Sequence, residues 1–284
     1  MIQYERPCAP TGFAARVKGA EVRVSQHFAG PGTERRCEFP PLWGEYREHF
    51  ARAQHHKCGF CEKLVESFGE PVEHFFPKGE VHELAHPGTC NARGKATGRR
   101  RGCVVVPGYH WKAYDWKNWL YACAVCNTVY KRNYFPLDCA SWSPPPDLRT
   151  TVPLLLNPYD DDPVRFLMFD TLGAVQPRQD LAPGDARRAQ ATIDTCGLFR
   201  DWLVNQRLRV AQDAWSQIDL ATQAWRVRSR SLLEHAVEAL QRAGADQAPH
   251  AGVVRSLVEA HLVPWKNLPQ LPVCLRWSLE AGAQ

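Results

Sequence analysis

Residues 114–131 read YDWKNWLYACAVCNTVYK, and their interpretation decides the architecture. The stretch ends in Cys123-Ala-Val-Cys126, a Cys-x-x-Cys pair followed directly by Asn127 and, four residues on, Lys131. Upstream, Cys58-Gly-Phe-Cys61 repeats the same spacing. Two thiolates two residues apart can hold one face of a tetrahedral ion, and two such knuckles make a four-sulfur site with no open position, the structural kind of zinc site. Cys58, Cys61, Cys123 and Cys126 are therefore assigned to structural Zn²⁺. A thioredoxin-like redox role fits poorly, because no strand–helix–strand pattern surrounds either pair. Cys90 and Cys103, with His82, His86 or His110, make a weaker second set, for which ordinary loop thiols and histidines are the plainer reading.

Working outward, the chain has 284 residues and 11 cysteines, an odd number that a disulfide framework would leave with one unpaired thiol. Hydrophobic residues make up 44% and charged residues 23%, the balance of a globular chain. No apolar run is long enough to span a bilayer, and the first twelve residues lack the apolar core of a signal peptide, so a cytoplasmic location away from membranes is expected. The net charge of +5 is uneven: residues 1–140 carry +6 and residues 141–284 carry −1. The basic excess thus lies with the cysteine pairs, as expected of a half that faces a polyanion.

Between the knuckles lies Val72-Glu73-His74-Phe75-Phe76-Pro77-Lys78. On a strand, neighbouring side chains point to opposite faces. Glu73 can then bind a divalent cation while His74 takes a proton from water. If a helix starts near Cys126, Asn127 and Lys131 share a face, with Asn127 an oxygen ligand and Lys131 turned to a phosphate.

These residues together resemble the HNH endonuclease superfamily, built on a ββα-metal motif. Glu73-His74 matches its first element and Asn118 its middle asparagine, while Asn127 stands where many members carry the last histidine. A closer resemblance is to the Septu PtuB and retron-associated HNH effectors of anti-phage defence. It rests on Cys58-Gly-Phe-Cys61-Glu62, residues 73–78, residues 114–131, Phe135-Pro136-Leu137, residues 157–163 and a helical segment running from Ala191 to Arg207. Three departures stand out: Trp119 replaces the usual leucine after Asn118, Lys131 sits one place later than usual, and residues 79–113 form a long insertion.

The resemblance implies a metal-dependent hydrolase of phosphodiester bonds in DNA or tRNA. His74 would be the general base, Glu73 and Asn127 the ligands of Mg²⁺ or Mn²⁺, Asn118 the residue orienting the His74 loop, and Lys131 a phosphate partner. It also implies an ABC/AAA-type ATPase subunit of the PtuA kind and, in retron systems, a reverse transcriptase with its RNA–DNA product. The competing reading is a non-catalytic zinc module that binds nucleic acid or protein; it has no need of a base and two oxygen ligands between its knuckles. For nucleic-acid contact the candidates are Lys78, the insertion's Arg93, Lys95, Arg99, Arg100, Arg101 and Lys112, and Tyr109 and Trp111 as stacking rings.

The expected fold class is α+β: a zinc-stapled ββα-metal core and a mainly α-helical C-terminal region. Residues 1–40, rich in Pro and Gly, read as an irregular arm. Residues 41–140 form the nuclease domain, opened by a helix over 41–57, with the basic insertion 79–113 read as loop. Ser141 to Asp147 contains three consecutive prolines and reads as a linker. Residues 150–284 form the helical region, which in the family docks on the partner. Within it, residues 154–158 read as a short strand, residues 165–175 as a hairpin around Gly173, and residues 185–242 as helix with a break near Gly197. Another helix covers Val253 to Leu262, and Trp202, Trp215 and Trp225 are expected to pack in the core.

Overall fold

The computed structural model describes residues 1–30, 37–65, 72–84, 103–138 and 153–273. The chain is α+β, with mostly helices and three small two-stranded antiparallel sheets among the described residues. The proline-rich linker, most of the basic insertion with Arg93, Lys95, Arg99, Arg100 and Arg101, and Cys90 lie outside those residues.

The N-terminal segment is not an irregular arm. Helix α1 spans Phe13–Ala29 and buries Val17, Ala20 and Val24. The prolines and glycines that suggested irregularity cluster at its two ends, and Gly12 adopts the left-handed conformation just before the first turn (φ 84°). Residues Met1, Ile2 and Tyr4 are buried as well. The helix expected over 41–57 is shorter, a 3-10 turn Leu42–Tyr46 running into α2, Arg47–Ala53.

Strand β1 (Val72–His74) is followed by β2 (Glu80–Leu84) and β3 (Cys103–Pro107), which pair with each other. The insertion is therefore a hairpin at its base rather than loop throughout: three consecutive valines in β3 favour extended backbone. Strand β4 (Trp119–Tyr121) returns to pair with β1, placing Val72 opposite Tyr121, Glu73 opposite Leu120 and His74 opposite Trp119. A short helix over Val125–Lys131 follows.

Beyond the linker, Leu154, Leu155 and Leu156 are buried but form no strand. Their backbone is held by Pro136 and by the Thr192 hydroxyl instead of a ladder. Strands β5 (Leu167–Phe169) and β6 (Val175–Pro177) make the hairpin, with Gly173 at φ 75°. Helices α3 (Pro183–Thr195), α4 (Asp201–Arg226), α5 (Arg230–Ala243) and α6 (Ala251–His261) follow, with a 3-10 helix over Trp265–Gln270 after them. The break at Gly197 is enforced twice over: its φ is 60°, and a Cβ there would lie 2.0 Å from the Tyr130 ring. A second break, at Val227 to Ser229, falls inside the stretch read as continuous helix.

Two apolar clusters form. The larger joins α2, β1 and β4 with Leu155, Leu156, Ile193, Leu198 and Leu203, so it draws on both sides of the proline-rich stretch. The other lies among α4, α5 and α6. The tail tryptophans are not core residues: Trp202, Trp215 and Trp225 are 48%, 42% and 39% exposed. The buried stripe of α4 is made largely of alanines, Ala211, Ala214, Ala221 and Ala224, with Ile218. Small side chains let neighbouring helices approach closely, which leaves the indoles on the flanks.

Candidate metal centre and His74 site

The four predicted thiols converge. Cys58, Cys61, Cys123 and Cys126 are buried, with all four sulfurs within 4.8 Å of one another. The Cys61 and Cys123 sulfurs are 3.8 Å apart, the separation that bonds of about 2.3 Å to a tetrahedral zinc would produce. Such a set can hold a structural metal such as zinc.

One contact at this centre has no signal in the sequence. Arg200, just before α4, is 8% exposed and directs Nη2 at the Cys126 sulfur, 3.4 Å away. Burial works to lower the pKa of this guanidinium, but the cysteines, Cys126 first, outweigh it and hold it above the ordinary arginine value. Arg207, nearly two turns into α4, is also buried; burial draws it down to about 10, against the pull of Cys61 and Glu62. Glu62 lies beneath the knuckle, accepting from the Gly252 amide (3.0 Å) and pairing with the Met1 amino group (2.6 Å).

His74 lies on the face of β1 opposite Glu73. Its Nε2 is 3.0 Å from the Ala113 carbonyl oxygen, and its Nδ1 is 3.4 Å from Lys78 Nζ. Trp43 stands edge to face against the imidazole, with centroids 4.6 Å apart, and Lys78 Nζ lies 4.2 Å from the Trp43 ring centre. Burial holds the imidazole well below the ordinary histidine range; Lys78 adds to this and the Ala113 bond opposes it. The ring is thus neutral near pH 7, the state a base requires. Burial also lowers Lys78, to about 8. Trp43 was not anticipated as a neighbour of His74, because sequence spacing alone does not bring the 3-10 turn onto β1.

Asn118 is 2% exposed and staples two segments. Its Oδ1 accepts from the Phe76 amide (2.7 Å), and its Nδ2 donates to the carbonyls of Phe76 (3.0 Å) and Lys112 (2.9 Å). The chain after His74 is thereby fixed to the turn that carries Ala113.

Lys131 is not open to solvent. It is fully buried, pairs with the Glu73 carboxylate and donates to the His74 carbonyl (3.1 Å). It reaches inward because Val125–Lys131 is a π-helix, in which the Arg132 amide bonds to the Asn127 carbonyl five residues back. That wider turn takes up one residue more than an α-turn would, which is how the late position of Lys131 is accommodated. Burial raises the Glu73 carboxyl, and Lys131 offsets this only in part. Asn127 is half-buried on the same helix, and its side chain makes no hydrogen bond among the described residues.

Replacing Lys131 by methionine would leave the Glu73 charge buried and unpaired. A loss of about 3–5 kcal/mol is expected in urea unfolding. Adding Glu73→Gln should restore part of it. Additive losses in the double variant would contradict this pairing.

The surface candidates divide. Trp111 is 40% exposed, whereas Tyr109 is fully buried against Phe76 and Phe135 and is unavailable for stacking on a base. Lys112 is tied to Asp115 at 2.7 Å. Lys78 is engaged with His74 and Trp43, as described above.

No family model matches the chain. Septu protein PtuB of Bacillus mycoides (strain KBAB4) is 31% identical over 160 residues, which is 55% of this chain and 48% of that protein. The chain is related to the Septu PtuB family. It aligns with about half the length of that curated relative. The PtuB relationship and the four-thiol cluster are independent findings, one from identity along the chain and one from side-chain geometry. Among the described residues of this PtuB relative, no helix is long and apolar enough to cross a membrane.

Proposed function

We propose that the chain is an HNH-type endonuclease, the effector of an anti-phage defence system of the Septu kind, acting with an ATPase partner of the PtuA kind. The carrying observation is the placement of His74: a buried imidazole anchored through Nε2 to the Ala113 carbonyl, on a strand whose other face presents Glu73.

In this reading the anchored ring takes a proton from water at Nδ1. The resulting hydroxide attacks phosphorus, and the bond to the leaving oxygen breaks. Lys78 and Trp43 cover Nδ1 and must swing aside for water and phosphate to enter, and a phosphate is the natural counter-charge to draw the Lys78 ammonium away. Glu73 and Asn127 offer a carboxylate and an amide oxygen, hard donors that suit Mg²⁺ or Mn²⁺. When held there, that ion would neutralise charge on the phosphate and the leaving oxygen. Lys131 keeps Glu73 ionised in a buried setting and ties it to the backbone of His74. Asn118 fixes the loop on which the ring depends. The four cysteines hold β4 and the π-helix to the first knuckle, with zinc as the ion.

The test is cleavage of plasmid DNA and of tRNA by the purified chain, alone and with the ATPase, with Mg²⁺ or Mn²⁺ added and zinc retained. Metal-dependent strand cuts are expected on at least one substrate. Intact substrates in every combination would overturn the nuclease reading and leave the zinc-stapled interaction module in its place.

A further inference from the structure

A cleft of about 550 Å³ opens beside the turn that anchors His74. It is lined by residues 6–9, by Phe13 and Glu21 of α1, and by Trp111 and residues 114–117. Its size falls in the range of about 300–1,000 Å³ usual for small-ligand sites. Its inner wall is aromatic: Tyr114 and Trp116 are buried, and Phe13 meets Trp116 edge to face at 5.0 Å. Trp111 stays exposed although its turn is firmly held. His110 stacks on Phe28 of α1 at 3.9 Å, Trp116 donates to the Pro7 carbonyl at 2.7 Å, and Arg6 donates to the Lys117 carbonyl at 2.7 Å.

The chemistry of the lining selects its occupant. An aromatic wall with an exposed indole suits a flat ring, and every nucleobase has a π-face to stack. Arg6 is already committed to Asp160, and Asp115 to Lys112. Two charged side chains of the lining, Glu21 and Lys117, make no hydrogen bond or ion pair among the described residues. A carboxylate accepts from the amino groups of base edges and repels a phosphate. The cleft therefore takes the base, and the phosphate is left to the ammonium of Lys117. A paired base is stacked within its duplex and cannot enter such a cleft.

We propose that this cleft is a subsite for one unpaired nucleobase next to the bond that is cut, so that the substrate is single-stranded, or looped out, at that place. Ala113, two residues after Trp111, holds His74 Nε2 at 3.0 Å. The Tyr114 ring lies 6.1 Å from that of Trp43, which in turn meets His74 at 4.6 Å. One short turn thus carries both the stacking ring and the anchor of the imidazole. The place of the cut rests on the nuclease reading; the affinity for an unpaired base does not.

The test is binding by the zinc-loaded protein with no Mg²⁺ or Mn²⁺ added, so that nothing is cut. Fluorescence anisotropy follows short fluorescein-labelled single strands of DNA and of RNA, and the DNA duplex of the same sequence. The wild-type protein is expected to prefer a single strand. Trp111→Ala should weaken binding of that strand by about five- to hundredfold, the worth of one base stacked on an aromatic ring, and leave duplex binding within about twofold. Trp111→Phe keeps a ring and should lose less. Lys117→Gln should weaken binding and flatten its salt dependence. Melting temperatures, expected to be unchanged at these exposed positions, separate a lost contact from a lost fold. A single strand bound as tightly by Trp111→Ala as by wild type, or no preference of the wild type for either single strand over duplex, would overturn the subsite. Cleavage combined with Trp111-independent binding leaves the nuclease reading standing without the subsite. Trp111-dependent binding without cleavage under either metal does the reverse.

Discussion

In the His74→Ala protein, metal-dependent phosphodiester cleavage is expected to fall by about 10²–10⁴, the usual worth of a general base. Zinc content and helical circular dichroism should be retained. Single-turnover cleavage at saturating protein measures the chemical step directly. The imidazole is buried, which holds its pKa well below the ordinary histidine range, and it is anchored at one nitrogen by the Ala113 carbonyl. The alanine leaves a small void among Trp43, Trp119 and Ala113, and a modest loss of stability follows from it. The protein stays folded because the Asn118 bonds and the cysteine cluster do not involve the imidazole. A cleavage rate within twofold of wild type would remove His74 from the chemistry.

Loss of one thiol has the larger structural effect. In Cys126→Ser, bound zinc is expected to fall below one equivalent per chain, and the melting temperature to drop by more than about 10 °C. Structural zinc contributes on the order of 10–16 kcal/mol in small zinc-dependent folds, against a typical total stability of about 5–15 kcal/mol for a domain. Position 126 is the sharpest choice because its sulfur also faces Arg200. The serine hydroxyl is a poor zinc ligand and carries no charge, so the guanidinium would stay buried with its nearest counter-charge gone. Metal analysis by mass spectrometry and thermal unfolding are the two measurements. One equivalent of zinc and an unchanged melt in the variant would show that the cluster is not a metal site.

Much of the site was legible because its chemistry is written in local spacing. The two Cys-x-x-Cys pairs specify their own convergence, since four thiols at matched intervals have few other uses. Asn118 and the Glu73-His74 pair come from the resemblance, and the structure sets them on, or directly before, the paired strands β1 and β4. What escaped depends on contacts across the fold. Trp43 reaches His74 from a turn 31 residues away, and Arg200 reaches Cys126 across 74 residues. Trp119 was visible only as a departure from the usual leucine; its place opposite His74 depends on the β1–β4 register. The inward turn of Lys131 was hidden because nothing in the side-chain pattern separates a π-turn from an α-turn. In the fold, the flanking glycines and prolines mask the N-terminal helix, whose signal is the spacing of Val17, Ala20 and Val24. The tail tryptophans differ from expectation because a helical pattern does not show which face is buried, and in α4 the alanines make the close contact.

The guanidinium beside Cys126 bears on how this protein can be divided or recombined. A fragment ending at residue 138 would keep every cysteine of the cluster, yet lose Arg200 along with Ile193, Leu198 and Leu203 from the shared core. Four thiolates around a divalent ion carry two surplus negative charges, and a truncated piece would expose that surplus on a raw apolar surface. Chimaeras between relatives should therefore exchange the cysteine half and the opening turns of α4 as one cassette, with the crossover point no earlier than Arg207.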